Sequence, residues 1–168
     1  MKKPSSENIR VLKTDTCPTI SNKGKLTYQL GCSPKEELFI RVTDNTGGGF
    51  FSNEWIAWND IQVTLKKRPK HTPLTSVFLI PLFSGKSSNT SAFVLAAMRD
   101  LNLVQPMKDK KRCHELLDTK MFLEEMKDMM SSNVSRNVAK KRAAVKKAAT
   151  NKVTKKTSSR KKKTVTKK

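Results

Sequence analysis

Acidic side chains are scarce in this sequence, and over one long stretch they are missing altogether. The chain has 14 Asp and Glu against 35 Lys and Arg, a formal net charge of +21. None of the 14 lies between Asn133 and Lys168, where fifteen of the 35 basic residues are gathered. Large apolar side chains are nearly missing there too, limited to Val134, Val138, Val145, Val153 and Val165. So little apolar surface cannot offset the entropy of ordering so charged a chain, which excludes a packed core for that stretch.

Other absences exclude other classes. Histidine occurs twice and the acids are scattered, so no catalytic site can be assembled and no enzyme is expected. Cys17, Cys32 and Cys113 are odd in number, widely spaced and never in Cys-x-x-Cys, which argues against structural zinc. Adjacent Cys113 and His114 would point apart in either regular structure, and nothing local activates a Cys–His pair. Buried, reduced thiols in an intracellular compartment are expected. No apolar stretch follows Met1 to Asn8, so no secretory signal is expected, and the sequons at Asn89 and Asn133 then carry no meaning. The longest apolar run, Val77 to Phe83, is too short to cross a bilayer and contains Pro81. Ser84-Gly85-Lys86-Ser87 looks like the end of a phosphate-binding loop, but the required earlier glycine is Ile80, and Pro81 removes a donor. No cofactor and no metal are expected.

What is present divides the chain. With fifteen basic residues in the C-terminal stretch, Met1 to Ser132 keeps 20 basic and 14 acidic residues, a net +6. The expected order is a flexible arm over 1–19, one α+β domain over 20–131, and a disordered lysine-rich tail over 132–168. Within the domain, Leu26, Tyr28 and Leu30 alternate with polar residues, as do Leu38, Ile40 and Val42. This pattern predicts a hairpin joined through Gly31 to Glu37. Gly47-Gly48-Gly49 predicts a turn, with close approach to a phosphate as the lesser reading. Phe50-Phe51 is a candidate third strand. Ser52 is a candidate cap for a helix carrying Trp55, Trp58, Ile61 (or Gln62) and Leu65, with helix favoured to about Asp60 and balanced with strand beyond it. Val77 to Phe83 reads as a buried segment, and Ala92 to Leu103 as a helix capped by Thr90 or Ser91. Val104 to His114 reads as a basic β-wing, and Thr119 to Met130 as an acidic helix with a face of Phe122, Met126, Met129 and Met130. The fold class expected is thus α+β, a small antiparallel sheet with three or so helices.

A polycation needs a polyanion, and nucleic acid is the densest one available to it. The expected contacts in the tail are Arg136, Lys140, Lys141, Arg142, Lys146, Lys147, Lys152, Lys155, Lys156, Arg160, Lys161, Lys162, Lys163, Lys167 and Lys168. Candidate contacts in the body are Arg41 and Phe39 on the hairpin, Lys66, Lys67, Arg68 and Lys70 in a proline-punctuated loop, Lys86, and Lys108, Lys110, Lys111 and Arg112 of the wing. Phe39 alternates out of phase with Leu38 and Ile40, which marks it as the aromatic most suited to stack on a base. Tyr28, Trp55 and Trp58 read as core, and the methionines of the last helix read as packing, with a partner-binding or dimer face as the lesser reading.

The tail's Lys-Lys-Ala-Ala, Thr-Lys-Lys-Thr and Arg-Lys-Lys-Lys units resemble the lysine-rich arms of linker histones and bacterial histone-like proteins. Over about a fifth of the chain, that resemblance implies charge neutralisation without sequence readout. The order hairpin, glycine turn, Phe50 to Trp55 and helix, from Gly24 to about Leu65, is similar to small transcriptional coactivators that bind single-stranded DNA as dimers. The resulting expectation is a non-enzymatic nucleic-acid-binding protein, DNA favoured over RNA, histone-like or associated with transcription or the nucleoid (the nucleus in a eukaryote). It carries no membrane association, and a protein partner or homodimer contact through the body. The alternatives are an RNA- or ribosome-associated protein, and a protein-interaction module with the tail as a localisation signal.

Overall fold

A computed structural model describes residues 8–83, 87, 89–108 and 110–132. The chain divides into two units, Met1–Met130 and Ser131–Lys168. The fifteen tail cations and Lys86 lie outside the described residues, as do residues 1–7 of the expected arm.

The fold is α+β. Four antiparallel strands in the order β1-β2-β3-β4 form the main sheet: β1 Arg10–Pro18, β2 Lys25–Cys32, β3 Leu38–Asn45 and β4 Ile56–Ala57. β2 and β3 are the expected hairpin. Their buried positions Leu26, Tyr28, Leu30, Ile40 and Val42 are each no more than 1% exposed, because side chains on a strand alternate between its faces.

The remaining elements are helix α1 Trp58–Lys66, a 3₁₀ segment Ser76–Phe83, helix α2 Asn89–Asp100, a wing of β5 Val104–Met107 and β6 Lys110–Leu116, and helix α3 over 120–132. Helices α1 and α2 pack on that buried face, and the other elements extend the core from them. Helix α2 is central, with Val94 to Met98 all buried, so its apolar surface exceeds a single stripe. It stops in a Schellman turn. Asn102, at a φ of 55°, takes the left-handed position, and Leu103 N–H donates to the Met98 carbonyl at 2.9 Å. The wing joins the body through Leu74 and His114, whose backbones exchange hydrogen bonds of 2.9 and 2.8 Å. Helix α3 brings Phe122 against Trp58, ring centroids 5.3 Å apart, and Arg10 donates to the Met130 carbonyl at 2.9 Å. Among the described residues no helix is long and apolar enough to cross a membrane.

Four local expectations are corrected. The arm is not loose throughout, since Arg10–Pro18 forms β1. Its charged residues hide the strand from a hydrophobicity pattern, and a bulge between Val11 and Lys13 breaks the alternation. Phe50-Phe51 is not a strand. The chain rejoins the sheet only at Ile56 and Ala57, which pair with Ile40 and Phe39. That pairing delays α1 to Trp58, with Ala57 at its N-cap and no side-chain cap, so Ser52 caps nothing there. Once begun, α1 runs through 61–66, burying Trp58, Ile61 and Leu65. At the start of α2, Ser87 Oγ accepts from Asn89 N–H, while Thr90 and Ser91 lie buried inside the helix.

Candidate nucleic-acid interface

The face of the sheet opposite the core presents a row of polar side chains in register. Thr14 on β1 pairs with Gln29 on β2, and Gln29 pairs with Arg41 on β3. Their side chains are joined as well as their backbones. Gln29 Nε2 donates to Thr14 Oγ1 at 3.2 Å, and Arg41 donates from Nε and Nη2 to Gln29 Oε1 at 2.9 and 2.7 Å. The Arg41 guanidinium lies over the Trp55 ring, 4.4 Å from its centroid. The guanidinium is thereby fixed beside the ring by partners that leave its remaining nitrogen, Nη1, unengaged among the described residues. An aromatic ring beside a fixed cation suits an unpaired base and its phosphate.

Trp55 owes its place to Gly31. A Cβ at position 31 would lie 2.8 Å from Trp55 Cη2, 2.7 Å from Ile9 Cγ2 and 3.0 Å from the Arg10 carbonyl oxygen. Phe39, Gly31's partner across the hairpin, is 2% exposed, so it is not the stacking aromatic expected of it. Ala57 of β4 pairs beside it, a neighbour that alternation on the hairpin alone could not reveal. Phe50 is the aromatic left in solvent, 92% exposed, on a loop tied to α2 by Ser52 N–H donating to Thr90 Oγ1 at 2.9 Å.

The glycine run is a turn. Gly48 and Gly49 take φ of 70° and 89°, and Asn45 accepts from Gly47 N–H at 3.1 Å through its side chain. Asn45 Nδ2 also donates to the Gly48 carbonyl, which accounts for the motif without a ligand. Lys66 sits in the last turn of α1, where a cation complements the carbonyl end of the helix dipole. Lys67, Lys70 and the half-buried Arg68 follow it in the loop. Lys108, Lys110 and Arg112 are exposed on the wing. Sequence reasoning named Arg41 as a candidate and expected the wing, which β5 and β6 form. It missed Gln29 and Thr14, whose meaning exists only once the strand register is known, and it assigned Trp55 to the core.

Cys17 and Cys32 are buried and Cys113 half-buried. Burial pushes the Cys17 thiol up to about 11, with the Asp100 carboxylate adding to it. His114 is 1% exposed, and its Nδ1 has no partner among the described residues. Burial first, and then the Arg99 charge, hold its imidazole below the usual range, so it is neutral at pH 7. Among the described residues no group of three His, Cys, Asp or Glu is placed to hold a metal ion. No protein-family model matches the chain, and neither a curated protein nor a solved structure is significantly similar to it.

Proposed function

We propose that the protein is a non-enzymatic nucleic-acid-binding protein, DNA favoured over RNA, that works in a histone-like or transcription-associated setting. The observation that carries this reading is the concentration of fifteen cations and no acid in 133–168. In this reading the tail is a disordered polycation, supplying affinity without sequence readout and speeding the search along the polymer. The body supplies selectivity through the Thr14–Gln29–Arg41 row and Trp55, a surface suited to unpaired bases. The likeness to single-stranded-DNA-binding coactivators rests on the same segment, and the nucleoid or nucleus follows as the compartment.

Binding of the full chain and of a 1–132 fragment to single- and double-stranded probes across a salt series tests this. With about ten tail charges engaged, log K should fall against log salt with a slope near −9. The fragment should lose most of that slope and keep a preference for single strands. An unchanged slope in the fragment would remove the tail from the account, and duplex RNA outcompeting duplex DNA would move the partner to RNA. The reading as a protein-interaction module has one observation in its favour. A groove of about 560 Å³ combines the Glu36, Glu37 and Asp60 carboxylates with the apolar Phe39, Met126 and Met130. It predicts weak nucleic-acid affinity at physiological salt.

A further inference from the structure

The row on the sheet leaves unused a second basic feature of the body. An open cleft of about 770 Å³ is bordered by the β1–β2 turn, the start of the 3₁₀ segment, α2 and the wing. That volume falls within the range of sites that bury small organic ligands. Among the described residues its charged lining is Arg99 and Arg112, with no carboxylate. Arg99, half-buried at the end of α2, is held by one nitrogen. Its Nη2 donates to the Pro18 and Thr19 carbonyls at 3.3 Å each, leaving Nη1 and Nε without a partner among the described residues. Arg112, two residues from His114 on β6, is exposed, and its guanidinium makes no hydrogen bond or ion pair among the described residues.

Two guanidiniums facing one cleft repel each other unless an anion joins them, and the planar fork of arginine matches phosphate oxygens. The rest of the lining differs from a plain anion site. Phe93 and Ile20 are half-buried, Leu95 closes the floor, and Val77 stands 64% exposed at the rim, an apolar side chain left in water. Phe93 meets Phe51 edge-on, centroids 6.1 Å apart, which steadies its ring. The hydroxyls of Ser21, Thr75 and Ser76 complete the border. An apolar wall beside paired cations and hydroxyls fits a ligand with a flat aromatic part and a phosphate. We propose that this cleft binds one nucleotide unit, with its phosphate between Arg99 and Arg112 and its base against Phe93 and Val77. The proposal deepens the nucleic-acid reading and rests on it only for the source of the nucleotide, a strand end or a free monophosphate.

The test follows the Arg99 and Arg112 Nε–H and Val77 methyl NMR signals of the full chain. The titrants are a 5′-phosphorylated single-stranded oligonucleotide, its 5′-hydroxyl counterpart, nucleoside 5′-monophosphates and inorganic phosphate. The phosphorylated strand or the monophosphates should shift all three sets, and Arg112→Gln, an exposed change that spares the fold, should weaken that response about tenfold. A response to the phosphorylated strand alone identifies a strand end as the ligand, and a response to monophosphates assigns the free nucleotide. Equal shifts from inorganic phosphate would overturn the proposal, because the base would then contribute nothing. Unmoved signals while duplex DNA still binds with a steep salt dependence would overturn it and leave the wider reading standing. Shifts from monophosphates without any binding of polymer would keep the cleft and sink the wider reading.

Discussion

The two faces of the four-stranded sheet are made by the same strands and do opposite work. On one, Leu26, Tyr28, Leu30, Ile40 and Val42 are withdrawn from water beneath the helices. On the other, Thr14, Gln29 and Arg41 spend their polar groups on each other and on Trp55. The first face holds the fold by removing apolar area from solvent. The second holds a shape that folding does not require, since exposed polar side chains would be satisfied by water without it. An ordered polar network at the surface is therefore a better pointer to recognition than the core beneath it.

The sharpest way to break this contrast lies on the core face. Ile40→Ala removes a side chain 1% exposed and leaves a cavity, so unfolding in urea should show a loss of about 2–5 kcal/mol. A loss under 1 kcal/mol would mean that this face is not the stabilising one. Gly31→Ala, which acts between the faces, comes next. The added methyl meets two side chains and the Arg10 carbonyl oxygen, and the last belongs to backbone that cannot swing aside. A loss of about 1–3 kcal/mol is expected, as for overpacking, together with a displaced Trp55 indole N–H signal. An unmoved signal would show that the glycine does not seat the ring.

What could be read from the sequence follows the same division. The hairpin was legible because the core face writes a period of two into Leu26, Tyr28 and Leu30, and Leu38, Ile40 and Val42. The final helix was legible from the helical spacing of Phe122, Met126 and Met129, and the wing from its run of basic residues. β1 was not, because Cys17 is the only fully buried side chain among its nine residues, so the strand exists by pairing rather than by apolar pattern. The two-residue β4 carries no period at all, and missing it misplaced both the start of α1 and Phe39. Arg41 was visible as a cation beside aromatics. Its partners were not, because Gln29 and Thr14 acquire a role only through cross-strand register, and nothing local in Trp55 says that it crosses the open face. The Arg99–Arg112 cleft was hidden for the same reason, its two cations being brought together by tertiary packing of α2 and the wing.

The smallest expected effect on stability is the most telling for function. Arg41→Ala removes a stacked cation and two hydrogen bonds, but Gln29 is only partly buried and water can replace the lost donor. The change in unfolding free energy should stay within about 1 kcal/mol, near the value of a partly exposed cation–π contact. Trp55→Leu keeps apolar volume over Gly31 and removes the aromatic plane. Combined in a double-mutant cycle, the pair should couple by about 0.5–1 kcal/mol in stability. Affinity of the 1–132 fragment for a single-stranded oligonucleotide should respond differently, each variant losing about 1–3 kcal/mol as for a stacked base deprived of its platform. Arg41→Lys separates charge from geometry, because an ammonium keeps the cation and loses the planar fork. If the lysine variant binds the oligonucleotide as tightly as the native fragment, the face acts through charge alone. If none of the three variants weakens binding while the fold stays intact, the polar row only decorates the sheet, and selectivity must be sought at the wing.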